Sequence, residues 1–146
     1  SSARRIHDLC PLALVGVRSM CQEERDYIAT RSVPNFPWPP VRDGRPQDFR
    51  AYEQSIVERL SPSVYVSVDL DVFDPSIMSA VGTPEPGGMT WEQVVSLLRT
   101  VAESRNIVGF DVCELSPGEG PLACSYTAAK LVYKLAAYAA LLGHGE

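Results

Sequence analysis

Asp69 and Asp71 stand two residues apart at the end of the apolar run Val64-Tyr65-Val66-Ser67-Val68. In an extended strand, residues two apart project to the same side, so both carboxylates face one region of space. At a separation of about 5 Å they repel by about 3 kcal/mol when the effective dielectric is about 20. A divalent cation or a shared proton offsets that cost. The alternative without chemistry is an Asp that caps the following turn beside a solvated neighbour.

The residues that follow favour a site. Asp74-Pro75 fixes a turn, and Gly82-Thr83-Pro84-Glu85-Pro86-Gly87-Gly88 is expected to bring backbone close to whatever the aspartates hold. A plain strand-to-helix connection takes about two to six residues, whereas this one runs from about Val72 to Met89. Ordered loops of that length, outside the carboxyl end of a strand, are usually functional.

Three apolar, β-branched runs are expected to position these residues as buried strands: Leu12 to Val17, Val64 to Asp69 and Ile107 to Cys113. A helical pattern follows each. Ser19 with Gln22 has capping-box spacing and predicts a helix through about Thr30; Thr90 with Gln93 repeats it before Val94 to Ala102. Pro46, as a first-turn proline, predicts a helix from about Gln47 to Leu60. A last helix is expected from about Ala123 to Leu142, stopping near Gly143, and Arg4 to Leu9 reads as the end of another. Strands of continuous hydrophobicity separated by helices predict an α/β chain, a parallel sheet with helices on both faces. Val33 to Pro40, with its prolines, predicts an ordered loop or contact arm without regular structure.

At 146 residues, 45% hydrophobic and 21% charged, the chain is expected to form one domain with its own core. Lys130 and Lys134 interrupt the last apolar segment, so no membrane span is predicted, and the N-terminal residues lack the apolar run of a secretory signal. A cytoplasmic protein is expected. Cys10, Cys21, Cys113 and Cys124 form no CxxC pair and read as buried, reduced thiols. A net charge of -5 with scattered Lys and Arg argues against a nucleic-acid partner and suits a cationic small molecule better.

Three motifs, Ser67-Val68-Asp69-Leu70-Asp71-Val72-Phe73-Asp74-Pro75, Gly82-Thr83-Pro84 with Gly87-Gly88, and Gly109-Phe110-Asp111-Val112-Cys113-Glu114-Leu115-Ser116-Pro117, resemble in order and spacing those of the ureohydrolases, the arginases, agmatinases and their relatives. Val15-Gly16-Val17-Arg18-Ser19 and Glu23-Glu24 extend the resemblance, and Gly16 to Ser19 with Glu114 to Pro117 look most similar to the agmatinase branch. The resemblance implies an arginase-like three-layer α/β/α fold. It implies that Asp69 and Asp71 bind a pair of Mn2+ ions, whose bridging hydroxide attacks a guanidinium carbon, releasing urea and an amine, as in agmatine to putrescine. It implies that Glu114 binds the guanidinium by paired hydrogen bonds and that Thr83 lines the same pocket, with Asp74 supporting or structural. Exposed Glu and turn hydroxyl are the plain alternatives for Glu114 and Thr83.

The chain departs from the family at Ser79, where proline is usual, and lacks the family's histidine and Asp-x-His-x-Asp motifs. His7 and His144 read as a helix-end and a tail residue, not as substitutes. The chain therefore resembles the C-terminal half of a ureohydrolase, which implies association with an N-terminal half or a homo-oligomer as partner. A non-catalytic remnant that binds metal weakly is the competing class. Val66 to Val72 also resembles the DxDxV signature of haloacid dehalogenase-type phosphatases, with Asp69 as nucleophile. That reading leaves Asp74-Pro75 and the Gly82 loop unexplained and lacks its later lysine and acidic pair.

Overall fold

A computed structural model describes residues 2–142; Gly143 and His144 lie outside the described residues. The chain gathers into two compact units, Ser1–Ser61 and Pro62–Glu146.

The first unit opens with helix α1 (Ser2–His7), where His7 is the last helical residue and its Nδ1 lies 3.0 Å from the Tyr27 hydroxyl. Strand β1 (Leu14–Val15) is shorter than expected. Helix α2 (Gln22–Arg31) starts at Cys21 rather than at Ser19, because the carboxylate that reaches back to a free amide is that of Glu24, 2.9 Å from the Cys21 N–H. Strand β2 (Asn35–Phe36) pairs in parallel with β1. The proline-rich run is thus partly regular. Its prolines flank the pair, and the Pro34 carbonyl accepts from the Leu14 N–H at 2.9 Å, a bond that needs no donor from proline.

Strands β3 (Val41–Arg42) and β4 (Arg45–Pro46) form a hairpin. Asp43 and Gly44 turn it with φ of 52° and 73°, the left-handed pair that an Asp-Gly dipeptide supplies. Pro46 therefore ends a strand, and helix α3 (Phe49–Val57) is opened instead by Asp48, whose carboxylate accepts from the Arg50 and Ala51 amides. The unit's core is Val33, Tyr52, Ile56 and Val57. Tyr52 donates to the Phe36 carbonyl at 2.7 Å, with Phe36, Trp38 and Phe49 around its ring, and burial pushes its hydroxyl up to about 12.

The second unit carries the acidic strand. Strand β5 (Ser63–Asp69), helix α4 (Trp91–Ser104) and strand β6 (Asn106–Cys113) make a parallel β-α-β unit, followed by helix α5 (Leu122–Leu141). Thr90 and Gln93 form the expected capping box: each side chain accepts from the other's backbone N–H, at 3.2 and 2.9 Å. On α4 the buried residues Val94, Leu97, Leu98, Val101 and Ala102 repeat at helical spacing, and α5 buries Cys124, Ala128, Leu131 and Leu135. Helix α5 packs against both β6 and α4.

Strand β5 alternates in burial. Val68 and Ile107 are buried, whereas Ser63, Tyr65, Ser67 and Asp69 are exposed. The parallel α/β reading holds, but continuous hydrophobicity does not translate into burial on both faces within this unit, where Tyr65 is 63% exposed and Val108 65%. The cysteine reading is also corrected. All four are free thiols, yet only Cys124, on the inward face of α5, is buried; Cys10, Cys21 and Cys113 sit at turns, a helix start and a strand end that face solvent. No helix among the described residues is long and apolar enough to cross a membrane.

Candidate functional site

Strands β5 and β6 run side by side with Asp69 opposite Cys113. Asp69 and the residue after Cys113, Glu114, therefore leave the sheet at the same carboxyl end, on strands about 4.8 Å apart. One pleat earlier, Ser67 lies opposite Asp111 and donates to its carboxylate at 2.8 Å, tying the strands together below the site. The next pair back is Tyr65 opposite Gly109, and a hydrogen bond to Asp111 raises the Tyr65 hydroxyl above its ordinary range. Asp111 went unassigned in the sequence, although its alternation with Cys113 and Gly109 could have placed it on this face.

After Asp69 the chain turns through a single 3₁₀ turn, Leu70–Val72. The Asp69 carboxylate accepts from the Asp71 N–H at 3.2 Å, which caps that turn. The capping alternative is thus present, and it leaves a cost. Partial burial of the Asp69 carboxyl, although the residue as a whole is exposed, together with the charges of Asp71 and Glu114, pushes it up to about 6. Three carboxylates converge here, and one of them is poorly accommodated as an anion. Thr83 donates to Asp71 Oδ2 at 3.2 Å, so it directly touches one of the predicted ligands. Glu114 is exposed and adopts φ of 68°, a left-handed conformation uncommon for any residue but glycine.

The connection from Val72 to Met89 is ordered by its own apolar residues. Leu70, Phe73, Met78, Ala80, Val81 and Met89 are buried, Phe73 stacks on Trp91, and Met89 pairs with Val72 and Asp74 through backbone bonds of 2.9 and 3.0 Å. Two glycines of the Gly82–Gly88 stretch, Gly87 and Gly88, bind a different aspartate. Their target is Asp74, which accepts from the Gly87 and Gly88 amides at 2.8 and 3.3 Å and from the Ser76 amide and hydroxyl at 3.0 and 2.6 Å. These donors pull the Asp74 carboxyl down to about 2. Gly88 lies so close that a Cβ there would stand 2.4 Å from Asp74 N and from Phe73 C. Ser79, the departure from the family's usual proline, places its hydroxyl 3.8 Å from the Cys124 thiol on α5.

The predicted residues Asp69, Asp71, Thr83 and Glu114 are thus gathered at one end of the β5–β6 pair. His7 lies in the other unit, and His144 lies outside the described residues. Among the described residues no group of three or more His, Cys, Asp or Glu side chains is placed to hold a metal ion.

The chain has relatives among known proteins. The model of the arginase family matches residues 3–137. An N(1)-aminopropylagmatine ureohydrolase of Thermus thermophilus is 43% identical over 124 residues, 84% of this chain and 40% of that protein. An agmatinase of Pyrococcus horikoshii is 37% identical over 132 residues, 90% of this chain and 44% of its own length. The structure of the agmatine ureohydrolase of Thermoplasma volcanium superposes with a TM-score of 0.71 at 33% identity, over 86% of this chain and 41% of that one. The chain thus spans about two fifths of the length of these relatives. The phosphatase reading falls with this match, which takes in the Asp74-Pro75 turn and the Gly82 loop that it left unexplained. The chain belongs to the arginase family, in the company of its agmatinase-related ureohydrolases.

Proposed function

We propose that this chain supplies part of the active site of an agmatinase-type ureohydrolase, which splits a guanidino compound such as agmatine into urea and an amine. The observation that carries the reading is the convergence of Asp69, Asp71 and Glu114 at adjacent strand ends, in a chain similar to proteins named for agmatine and aminopropylagmatine hydrolysis.

Manganese fits the residues present, in part. Asp69 and Asp71 offer hard oxygen donors, and the crowding that raises Asp69 is the imbalance a divalent cation relieves. Further ligands must come from outside the described residues. When bound, the metal pair supplies a water made nucleophilic near neutral pH. In this reading Asp69 and Asp71 hold the ions, and Thr83 fixes the rotation of the Asp71 carboxylate by its hydrogen bond. Glu114 pairs with the planar guanidinium and holds its carbon in line for attack. In the overall reaction the guanidinium carbon gains a bond to the water oxygen and loses its bond to the nitrogen that carries the alkyl chain; both protons of the water go to that nitrogen, so the products are neutral urea and an alkylammonium ion. Thr83 can also line the substrate pocket, since its hydroxyl is exposed beside Asp71.

The test is urea release from agmatine with Mn2+, by this chain assembled with the part of the Pyrococcus horikoshii agmatinase that it does not match. Urea above the level given by either part alone is expected. A folded assembly that binds Mn2+ and releases no urea from any guanidino compound would sink the reading. The absence of a three-ligand group among the described residues favours a second reading, a remnant that serves in assembly without catalysis. Its mark is a folded assembly without tight Mn2+ binding by calorimetry.

A further inference from the structure

Glu114 stands in a left-handed backbone conformation, φ 68°, which costs a non-glycine residue about 1 kcal/mol and persists only where neighbouring structure imposes it. Its surroundings show one such constraint. Two residues on, the Ser116 N–H donates to the Ala80 carbonyl at 2.8 Å, and the chain then makes a 3₁₀ turn, Pro117–Glu119. Gly120 brings it back onto Ala80: a Cβ at Gly120 would meet Ala80 Cβ at 2.7 Å and Ala80 Cα and N at 2.9 Å. Ala80 has nowhere to go, being fully buried beside Val81 on the loop that also carries Asp71 and Thr83. Gly120 itself is extended, at φ of -159°, which any residue adopts, so space alone demands glycine there. Gly118, on the same turn, has nothing within 4 Å of its own missing Cβ.

We infer that Gly120, by its close approach to Ala80, is a positioning residue that sets where Glu114 stands relative to Asp71 and Thr83. The Ser116 bond and the Gly120 contact clamp the Glu114 loop to the Asp71 loop at a single residue, Ala80. A side chain at Gly120 wedges the loops apart and displaces the guanidinium-binding carboxylate while leaving Asp69 and Asp71 on their own turn. The inference rests on the assignment of Glu114 proposed above.

Gly120→Ala, Gly118→Ala and Glu114→Gln are compared in the assembled Mn2+ protein with agmatine as substrate. Gly120→Ala is expected to raise KM by about tenfold with Mn2+ affinity unchanged, and Gly118→Ala to change neither. Amide exchange, measured on this chain, should accelerate at Ser116 in Gly120→Ala only. A Glu114→Gln variant with raised KM beside a Gly120→Ala variant with normal KM overturns the clamp alone. Normal KM in both overturns the assignment of Glu114 and the clamp with it. Equal Ser116 exchange in the two glycine variants also overturns the clamp.

Discussion

Asp69 and Asp74 sit on the same turn of chain, yet their surroundings perturb them in opposite directions. Asp74 is saturated by donors from Ser76, Gly87 and Gly88 and held down to about 2, so the protein alone satisfies its charge. Asp69 has one backbone donor, lies against other carboxylates and is pushed up to about 6. A carboxylate that the fold satisfies is part of the scaffold, and one that it crowds and leaves short of donors is a candidate for ligand binding. The difference separates, within six residues of sequence, the acid that shapes the loop from the acids proposed above to hold metal.

Substitutions can break this contrast. The largest effect belongs to Asp71→Asn, expected to lower urea release by the assembled protein by more than about a thousandfold while the fold persists by circular dichroism. Gly88→Ala comes next. Its Cβ would meet backbone of Phe73 and Asp74 at 2.4 Å, so the turn must shift, and thermal unfolding should show a loss of about 2 kcal/mol. Thr83→Val removes the bond to Asp71 Oδ2 and should weaken Mn2+ binding about tenfold, with Thr83→Ser restoring it.

The smallest effect is that of Asp74→Asn, because its carboxylate is solvent-screened. Its sign is nevertheless fixed. The folded value of about 2 lies below the ordinary 3.8, so the charge stabilises the fold fully above about pH 4. That contribution is lost as pH falls through about 2. The melting temperatures of wild type and Asp74→Asn should therefore differ at pH 7 and converge near pH 2.

Much of the second unit was legible in the sequence, because its signals are local. The Thr90–Gln93 box, the α4 stripe and the β-branched runs Val64 to Asp69 and Ile107 to Cys113 each fix an element without help from elsewhere. The first unit was less so. A two-residue strand at Asn35–Phe36 exists only because Leu14–Val15 lies beside it, a pairing that proline-rich local sequence conceals. The Asp43-Gly44 turn and the Asp48 cap carried readable signals that Pro46 overshadowed. At the site, the sequence paired Asp69 with Asp71 by strand alternation, but the strand ends at Asp69 and Asp71 lies in the 3₁₀ turn that Asp69 caps, so the pair meets for a different reason; motif resemblance added Glu114 and Thr83. Which carboxylate the glycines serve depends on how the loop closes on Met89, a long-range packing matter that spacing does not encode.

In the proposed site Asp69 and Asp71, and not Asp74, hold the metal. Calorimetric titration of Mn2+ into the assembled protein tests it directly, comparing wild type, Asp71→Asn and Asp74→Asn. Tight binding by wild type and Asp74→Asn, lost in Asp71→Asn, is the predicted result. Equal affinity in all three, or loss in Asp74→Asn alone, would contradict it.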